Sequence, residues 1–473
     1  MSSSARFESL EQLRSRASEL LAAQRCRYAG KPLPLADDER HAWEEQVALW
    51  QALYFGYAMC TDAAGEADLT ALVWLRSLDS LGRAIREYAR AYRAVPAALW
   101  KELNSCYRAA ESCGLESTEV PVQGRAGASE SCRTIYLVTV LHEAANVYAL
   151  SAAQMHALER WLPDWARSID LLPAAPAASR SPLAIDLCGD SGAQVARELG
   201  SSDTLRYLDT SVLAARLRAL ASSLREGTPE PELEEALREL PHAALERMLT
   251  HLYVQWCSAG TGRIDERRDT AIRAQVAVTM HAVHFQISGR AFRQPGLRYT
   301  REEEYDLATF GHITERTEQR LLTGRSSALE PWEIFNHSLS SSFGMCRKPD
   351  LQSRIGHGQL VAIRTSSAAA PMLATVQRLK MESDGSLNAG VKVIRGEVRG
   401  VAVRPAGDAS QKYERALVVS DDDAKAPPTM IVPRDQFGAG ALIEIYSNRG
   451  ETVQLGEVVE RGFDFERVTF RQD

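Results

Sequence analysis

The sequence lacks both an apolar run that could cross a membrane and a paired cysteine motif. Its 473 residues contain no stretch of about 18 consecutive apolar residues, which a transmembrane helix requires. We also expect no secretory signal, because the first residues enter a helical pattern without an apolar core. The eight cysteines are scattered and none forms Cys-x-x-Cys, so we expect reduced thiols in a cytoplasmic protein.

Extremes of charge and composition are also missing. The formal net charge is −7, with 45% hydrophobic and 25% charged residues, which are values typical of globular domains. The slight acidity argues against a nucleic-acid polymer or an anionic membrane surface as partner, so we expect neither. A chain of this length is expected to form about two to four domains.

Apolar residues in the first third of the chain recur at the spacing of amphipathic helices. This pattern predicts helices over 5–25, from Asp37 onward, over 68–93, from Pro96 to Gly114, over 131–150 and over 151–170. No fixed repeat is evident, so a bundle and a solenoid-like array both remain open. The large aromatic residues on these segments are expected to pack between helices rather than to form a ligand cage. They are Trp43, Trp50, Tyr54, Trp74 and Tyr88.

A small, proline-rich segment over 173–182 predicts a linker between a helical domain, 1–172, and a mostly helical middle domain, 183–298. Within the middle domain, residues 183–187 and the alternating residues 270–278 are possible strands. Residues 279–288 could form a short helix.

Beyond about residue 330 the pattern changes to short alternating segments separated by glycine, which predicts one or two small antiparallel β-barrels. We expect a barrel over 299–405, and either an extension of it or a second small barrel over 406–473. The fold class is therefore predicted as α+β and multidomain, with a helical N-terminal region followed by a C-terminal antiparallel β-barrel.

Several motifs that would indicate catalysis or a metal site are incomplete. His142-Glu143 resembles a zinc-protease motif, but Asn146 stands where the second histidine is needed. His281 and His284 have no convergent carboxylate nearby in sequence, which favours packing roles. The pairs Gly356-His-Gly358 and Gly438-Ala-Gly440 indicate β-turns rather than a dinucleotide fingerprint. We predict no catalytic residue, no metal site and no cofactor.

One constellation is more informative. Arg316 and Arg320 lie four residues apart just before the β-rich region. Asn336-His-Ser338 follows on an apparent first strand, with Ser341 and Gly344 after it, and Gly390 lies on a later strand. Guanidinium groups can bind phosphate or the O6/N7 edge of guanine. Short polar side chains at a strand end supply hydrogen bonds, and glycine lets a backbone approach a ligand.

An Arg-x-x-x-Arg segment, then Asp/Asn-x-Ser-x-x-Gly, then a glycine-bearing strand of a six-stranded barrel, resembles the PilZ domain. PilZ domains are bacterial receptors for cyclic di-GMP. The resemblance covers about 300–405 and implies a PilZ-like barrel whose ligand contacts are Arg316, Arg320, Asn336, Ser338, Ser341, Gly344 and Gly390. Two motif registers stay open, because Ser338 places Ser341 at the family's glycine position, whereas Ser341 places Gly344 there.

The resemblance implies a cytoplasmic signalling protein, not an enzyme, that binds cyclic di-GMP and acts on an unidentified protein partner through its helical region. Two alternatives remain open. In the first, the chain is a helical scaffold or adaptor with a degenerate barrel, and Arg316 and Arg320 lie on a solvated helix face beside Glu315 and Glu318. In the second, it is a hydrolase or transferase with its site between helical domains.

Overall fold

The computed structural model divides the chain into two compact units, a helical unit (Met1–Lys31 and Leu35–Asp265) and a barrel unit (Pro32–Pro34 and Glu266–Asp473). The residues that the structure describes are 3–60, 67–121, 129–176, 181–258, 272–290, 292, 294–295, 299, 301–314, 316–317, 329–338, 341–351, 353–366, 370–408, 410–420, 427–446 and 450–472. Within these ranges no helix is both long and apolar enough to span a bilayer.

The helices of the helical unit follow the predicted periodicity. They are α1 Ser3–Gln24, α2 Asp37–Ala58, α3 Ala67–Arg90, α4 Ala97–Ser112, α5 Cys132–Ala144, α6 Ala152–Arg167, α7 Ser211–Arg225, α8 Pro231–Glu239 and α9 His242–Cys257, with short 3-10 turns at Arg25–Arg27, Val147–Ala149 and Ala196–Glu198. Local signals set some ends: Ser151 and Gln154 form a capping box at the start of α6. The predicted helical N-terminal region is confirmed.

A small antiparallel sheet lies in the same unit. Its strands are β3 Asp170–Leu172, β4 Leu183–Asp186, β5 Gln194–Val195 and β6 Leu205–Asp209, in the order β3-β6-β4-β5, while β1 Val120–Pro121 and β2 Ser129–Glu130 form a separate hairpin. The segment predicted as an interdomain linker, 173–182, therefore connects two strands of one sheet. Composition indicates a flexible segment, but only strand pairing decides whether its two ends belong together.

Buried ion pairs along α3 hold the surrounding helices. Glu87 is fully buried, accepts a 2.5 Å hydrogen bond from the Tyr28 hydroxyl, and pairs with Arg90 at 2.6 Å. Arg90 in turn reaches Glu159 on α6 at 2.7 Å. Burial alone would raise the pKa of Glu87, but the charges of Arg90 and Arg25 hold it below its ordinary value. Breaking such a pair leaves an uncompensated charge, which is strongly destabilising.

The predicted packing of the large aromatic residues is confirmed in part. Trp43 and Trp50 are buried, at 6% and 0% exposure, whereas Tyr54, Trp74 and Tyr88 are half-buried. Trp43 packs edge-on against Tyr88, and the Arg83 guanidinium lies 4.9 Å from the centre of the Trp50 ring. The half-buried Tyr54 donates a 2.6 Å hydrogen bond from its hydroxyl to Glu102 of α4.

Two closed antiparallel barrels form the barrel unit. The first has strands β7 Ile272–Ala277, β8 Glu330–Ser338, β9 Ser342–Arg347, β10 Leu360–Thr365, β11 Met372–Met381 and β12 Leu387–Val393, in the order β10-β11-β12-β9-β8-β7. The second has β13 Glu397–Pro405, β14 Glu414–Ser420, β15 Thr429–Pro433, β16 Leu442–Tyr446, β17 Gly450–Arg461 and β18 Phe465–Gln472, in the order β13-β14-β15-β18-β17-β16. The predicted antiparallel barrel fold is confirmed.

The structure places the barrel boundaries differently from the predicted ranges 183–298, 299–405 and 406–473. The first barrel takes β7 from the range assigned to the middle domain, and the second barrel begins at Glu397, inside the range assigned to the first. Of the two alternatives for the chain end, the structure shows the second barrel. The alternation over 270–278 predicted a strand there, but not the barrel that it joins. The partners of β7, β8 and β10, lie more than 50 residues further along the chain, and no local pattern encodes such a pairing.

A short helix, α10 Met280–Ser288, packs between the two barrels, while α11 Arg301–Phe310 follows it along the chain. Ala282 and Val283 of α10 share one apolar cluster with residues of both barrels, including Leu360 and Leu417. The His284 ring, 5% exposed, lies with Nε2 3.2 Å from the Val401 carbonyl. Burial lowers the pKa of His284 to about 4, so the ring is neutral near pH 7 and its Nε2–H donates to that carbonyl.

A turn of the second barrel also bonds directly to the first. The Phe463 N–H donates to the Gly358 carbonyl at 2.9 Å, and an Asp464 carboxylate oxygen accepts from the Leu360 N–H at 3.1 Å. Gly358 has φ +78°, as the predicted β-turn at Gly356-His-Gly358 requires. The junction therefore covers the β7–β10 side of the first barrel.

Trp50→Ala is expected to lower the free energy of unfolding of the helical unit by about 3–5 kcal/mol, because a fully buried ring is lost. The matched control is Phe55→Ala on the same helix, where the ring is 62% exposed and the cost should stay under about 1 kcal/mol. Calorimetric unfolding of the full chain measures both. Equal costs for the two variants would contradict the assigned burial.

Asp464→Asn is expected to stabilise the barrel unit increasingly between about pH 4 and pH 6, and by a constant amount above pH 6. Burial raises the pKa of Asp464 to about 6 from 3.8, so the folded state binds this proton more tightly than the unfolded state. Its stabilising contribution is complete below the unfolded pKa and is lost as the pH rises through the folded pKa. Asparagine keeps the acceptor without the charge and should add about 3 kcal/mol at pH 8.

The same substitution should change little at pH 4, where the parent carboxyl is already protonated. Asp350→Asn, at an exposed position of the same unit, is the control for a general charge effect. Calorimetric unfolding from pH 4 to pH 8 gives the difference between variant and parent. A pH-independent difference would show that the carboxyl of Asp464 does not titrate in this way.

Candidate functional site

The β8–β9 hairpin of the first barrel carries most of the predicted motif residues. Ile334, Phe343 and Met345 are buried and face the barrel interior. Because successive side chains of a strand point to opposite faces, Phe335 and Gly344 face outward. The candidate site is therefore on the outer surface of the barrel wall.

Strand register aligns four outward-facing residues in one line across the barrel wall. Phe335 lies opposite Gly344, Gly344 lies opposite Gly390, and Gly390 lies opposite Arg378. We call these four residues the glycine row. With neighbouring strands about 4.8 Å apart, the row spans roughly 14 Å. The structure thus brings together Gly344 and Gly390, which are 46 residues apart in the chain.

Neighbouring side chains lie over both glycines. A Cβ atom on Gly344 would lie 2.5 Å from the ring of Phe335, and one on Gly390 would lie 3.1 Å from the Cβ of Arg378. Neither glycine has a positive φ, so glycine is required here for space rather than for backbone conformation. The Phe335 ring therefore extends over Gly344, and the Arg378 side chain extends over Gly390, each from its own end of the row.

The end of the hairpin lies beside the row. Ser338 pairs with Ser342, and the Ser341 carbonyl accepts a 3.0 Å hydrogen bond from the N–H of Val393. Asn336 and Ser338 lie in β8, but their side chains are outside the described part of the structure. Ser341 is a turn residue without a positive φ, so its backbone does not require glycine.

Unpaired positive charge flanks the row on its hairpin side. Lys392 is exposed and lies opposite Ser342, two residues from Gly390. Among the described residues, the side chains of Lys392 and of the exposed Arg378 have no hydrogen-bond or ion-pair partner. The other side of the row carries acidic side chains, including Glu333 opposite Cys346. A ligand with negative charge would therefore be favoured towards the hairpin end.

The row lies across the barrel from the junction with the second barrel. In the closed order β10-β11-β12-β9-β8-β7, the pair β9–β12 stands opposite the pair β7–β10. The latter pair contributes Ala277, Leu360 and Ala362 to the apolar cluster shared with α10. The second barrel and α10 therefore cover the side of the first barrel formed by β7 and β10. The outward surface of β9 and β12, on the opposite side, is not part of this junction.

The structure places one of the two predicted arginines. Arg316 is exposed and lies in a helical turn over 316–317. The Thr314 hydroxyl accepts a 3.3 Å hydrogen bond from the Thr317 N–H at the start of this turn, and Asp306 accepts from the Thr314 N–H at 2.8 Å. Arg320 lies outside the described residues. That Arg316 and Arg320 face Asn336 and Ser338 stays a prediction.

Sequence reasoning missed Phe335, Arg378 and Lys392. Lys392 could have been found, because it lies two residues from Gly390 and therefore shares its face. Arg378 could not, because the register between β11 and β12 shifts at a bulge between Val376 and Arg378, and one residue of slip would move every side chain to the other face. Phe335 could not be found either, because nothing in the local sequence of β8 distinguishes an outward-facing ring from a core one.

Gly344→Ala is expected to destabilise the first barrel by about 1–3 kcal/mol, because the new methyl group would displace the Phe335 ring. In the Phe335→Ala background the same change should cost less than about 0.5 kcal/mol, since the space is then free. Calorimetric unfolding measures all four proteins. Gly438→Ala, where no atom lies within 4 Å, is the control, and equal costs in both backgrounds would contradict the contact.

Comparison with known proteins identifies the family at both ends of the chain. The model described as "Cyclic-di-GMP receptor FimW, N-terminal domain" matches residues 1–176. The model described as "FimW C-terminal beta-barrel domain" matches residues 400–473, which corresponds to the second barrel. The two matches together cover more than half of the 473 residues. No curated protein and no solved structure matches significantly. The chain belongs to the FimW family of cyclic-di-GMP receptors.

Proposed function

We propose that this receptor binds cyclic di-GMP on the outer wall of its first barrel, at the glycine row and the adjoining hairpin end, and passes the signal to a protein partner through the helical unit. The observation that carries the proposal is the register that sets Gly344 beside Gly390, next to the strand of Asn336 and Ser338. Asn336, Ser338 and the two glycines were chosen from the resemblance to PilZ domains. The pairing of the two glycines is an observation of the structure that does not depend on that resemblance.

The chemistry of the ligand fits this surface. A cyclic dinucleotide carries two phosphodiester charges and two planar bases, so a site for it needs cations and a flat, sterically open surface. The side chains of Lys392 and Arg378 are exposed cations with no partner among the described residues. The two glycines have no side chain, so the surface between Phe335 and Arg378 is open. Charge-assisted hydrogen bonds from arginine to phosphate or guanine are among the stronger ones in proteins.

The role of Arg316 and Arg320 follows from the resemblance. An exposed Arg316 at a short helical turn is free to bind an anion that approaches the barrel. Asn336 and Ser338 would then supply hydrogen bonds from β8. No step of catalysis is assigned to any of these residues, and the proposed role is that of a receptor.

Apolar side chains exposed on the helical unit support the proposal of a protein partner. Leu20 of α1 is 67% exposed, Phe55 of α2 is 62% exposed, and Met59, the residue after α2, is 63% exposed. Exposed apolar side chains on helices are common at protein-binding surfaces. The same observation favours the second candidate function, an adaptor whose barrel binds no nucleotide.

Isothermal titration of the full chain with cyclic di-GMP tests the proposal. We expect binding in the parent, and a loss of about 10- to 150-fold in Arg316→Ala and in Arg320→Ala, because a charge-assisted bond contributes roughly 1.5–3 kcal/mol. The stability of Arg316→Ala should change by less than about 1 kcal/mol, since Arg316 is exposed and an exposed charge contributes little to folding.

Arg197→Ala, at an exposed position of the helical unit, is the matched control and should bind like the parent. Absence of binding in the parent at about 100 μM nucleotide, a concentration at which even weak specific sites fill appreciably, would favour the adaptor. Binding in the parent that neither arginine variant weakens would place the site elsewhere.

A further inference from the structure

We propose that Arg378 determines the base specificity of this receptor by binding the O6/N7 edge of a guanine that stacks on Phe335. The inference rests on the proposed function, and it adds two residues that lie outside the Arg-x-x-x-Arg and Asn-x-Ser motifs. It concerns only the glycine row and the adjoining Lys392.

The position of Arg378 suits contact with a ligand. The bulge between Val376 and Arg378 leaves both Gln377 and Arg378 exposed in succession. Bulges commonly re-aim a side chain in this way. A Cβ on Gly390 would lie 3.1 Å from the Cβ of Arg378 and 4.0 Å from its Cδ, so the arginine stem runs over the glycine. The guanidinium group has no partner among the described residues.

Phe335 supplies the stacking surface at the other end of the row. Its ring lies over Gly344, with Cε2 2.5 Å and Cζ 2.9 Å from the position of a Cβ there. The ring is half-buried, so one side packs on the barrel wall and the other is available to a base. Since Gly344 and Gly390 are direct neighbours, no side chain rises between the ring and the arginine.

The chemistry of the two cations differs. A guanidinium group is a planar fork that matches two acceptors side by side, whereas an ammonium group acts as a point charge. Guanine presents O6 and N7 as two acceptors, but adenine presents the N6 amino donor in place of O6. Arg378, on the same row as the ring, is placed for the base edge. Lys392, beside Ser342 at the hairpin end, is placed for phosphate.

Titration of the full chain with cyclic di-GMP and with cyclic di-AMP tests this assignment. The parent should prefer cyclic di-GMP. Arg378→Ala should weaken cyclic di-GMP binding by about 10- to 100-fold and leave cyclic di-AMP binding nearly unchanged, because the fork discriminates between the two base edges. Arg378→Lys keeps the charge without the fork and should also lose the preference.

Arg364→Ala is the matched control, because Arg364 is exposed on β10 of the same barrel, lies opposite Gln275, and is outside the glycine row. It should retain both affinity and preference. Phe335→Leu should weaken both dinucleotides by a similar factor, because stacking does not distinguish bases. Unfolding temperatures of the variants show whether each protein is folded.

The outcomes separate this inference from the proposed function. Failure of the parent to bind either dinucleotide would overturn both. Binding by the parent with an unchanged preference in Arg378→Ala would overturn the role of Arg378 alone. If Arg378→Lys kept the parent's full preference for cyclic di-GMP, the contact would depend on charge alone. That result would likewise overturn the assignment of the guanine edge.

Discussion

The closure of the first barrel determines which of its residues can contact a ligand. All six strands are paired on both sides, so a ligand cannot bind by adding a strand at an open edge. Since Ile334, Phe343 and Met345 fill the interior, binding must use the outward-facing half of the strands and the hairpin ends. Alternation along a strand and register between strands then place Gly344 next to Gly390, although nothing in the local sequence connects them.

The second barrel limits the surface further. Strands that face α10 or the junction are buried on both sides, and in β10, β14 and β15 they show uninterrupted apolar runs rather than alternation. Such runs are typical of strands that are covered on both faces. In the sequence, such runs therefore identify the strands through which the two barrels pack against each other. Strands β9 and β12 alternate instead, as expected where one face is left to solvent or ligand.

In the helical unit, buried charged residues join helices to one another. The polar residues of α3 would look in sequence like an exposed helix face, yet Glu87 is fully buried and Arg90 is 8% exposed. Their pairs with Tyr28 and Glu159 bring together α3, the segment after α1, and α6. Buried pairs of this kind contribute little net stability over an apolar core, but they penalise every arrangement in which a partner is missing, and so favour one packing of the helices.

The sequence by itself determined the helices of the first 170 residues, most strands after residue 330 and the choice of Asn336, Ser338, Gly344 and Gly390 as candidate ligand residues. Helical and strand periodicity are local, since neighbours three, four or two residues apart share a face, and a motif is read at fixed spacing. Only the tertiary structure decided that β7 joins the first barrel, that 173–182 connects two strands of one sheet, and that Arg378 lies beside Gly390. Each of these depends on hydrogen bonds between segments far apart in the chain, whose register is set by the packing of both partners and is not encoded in either alone.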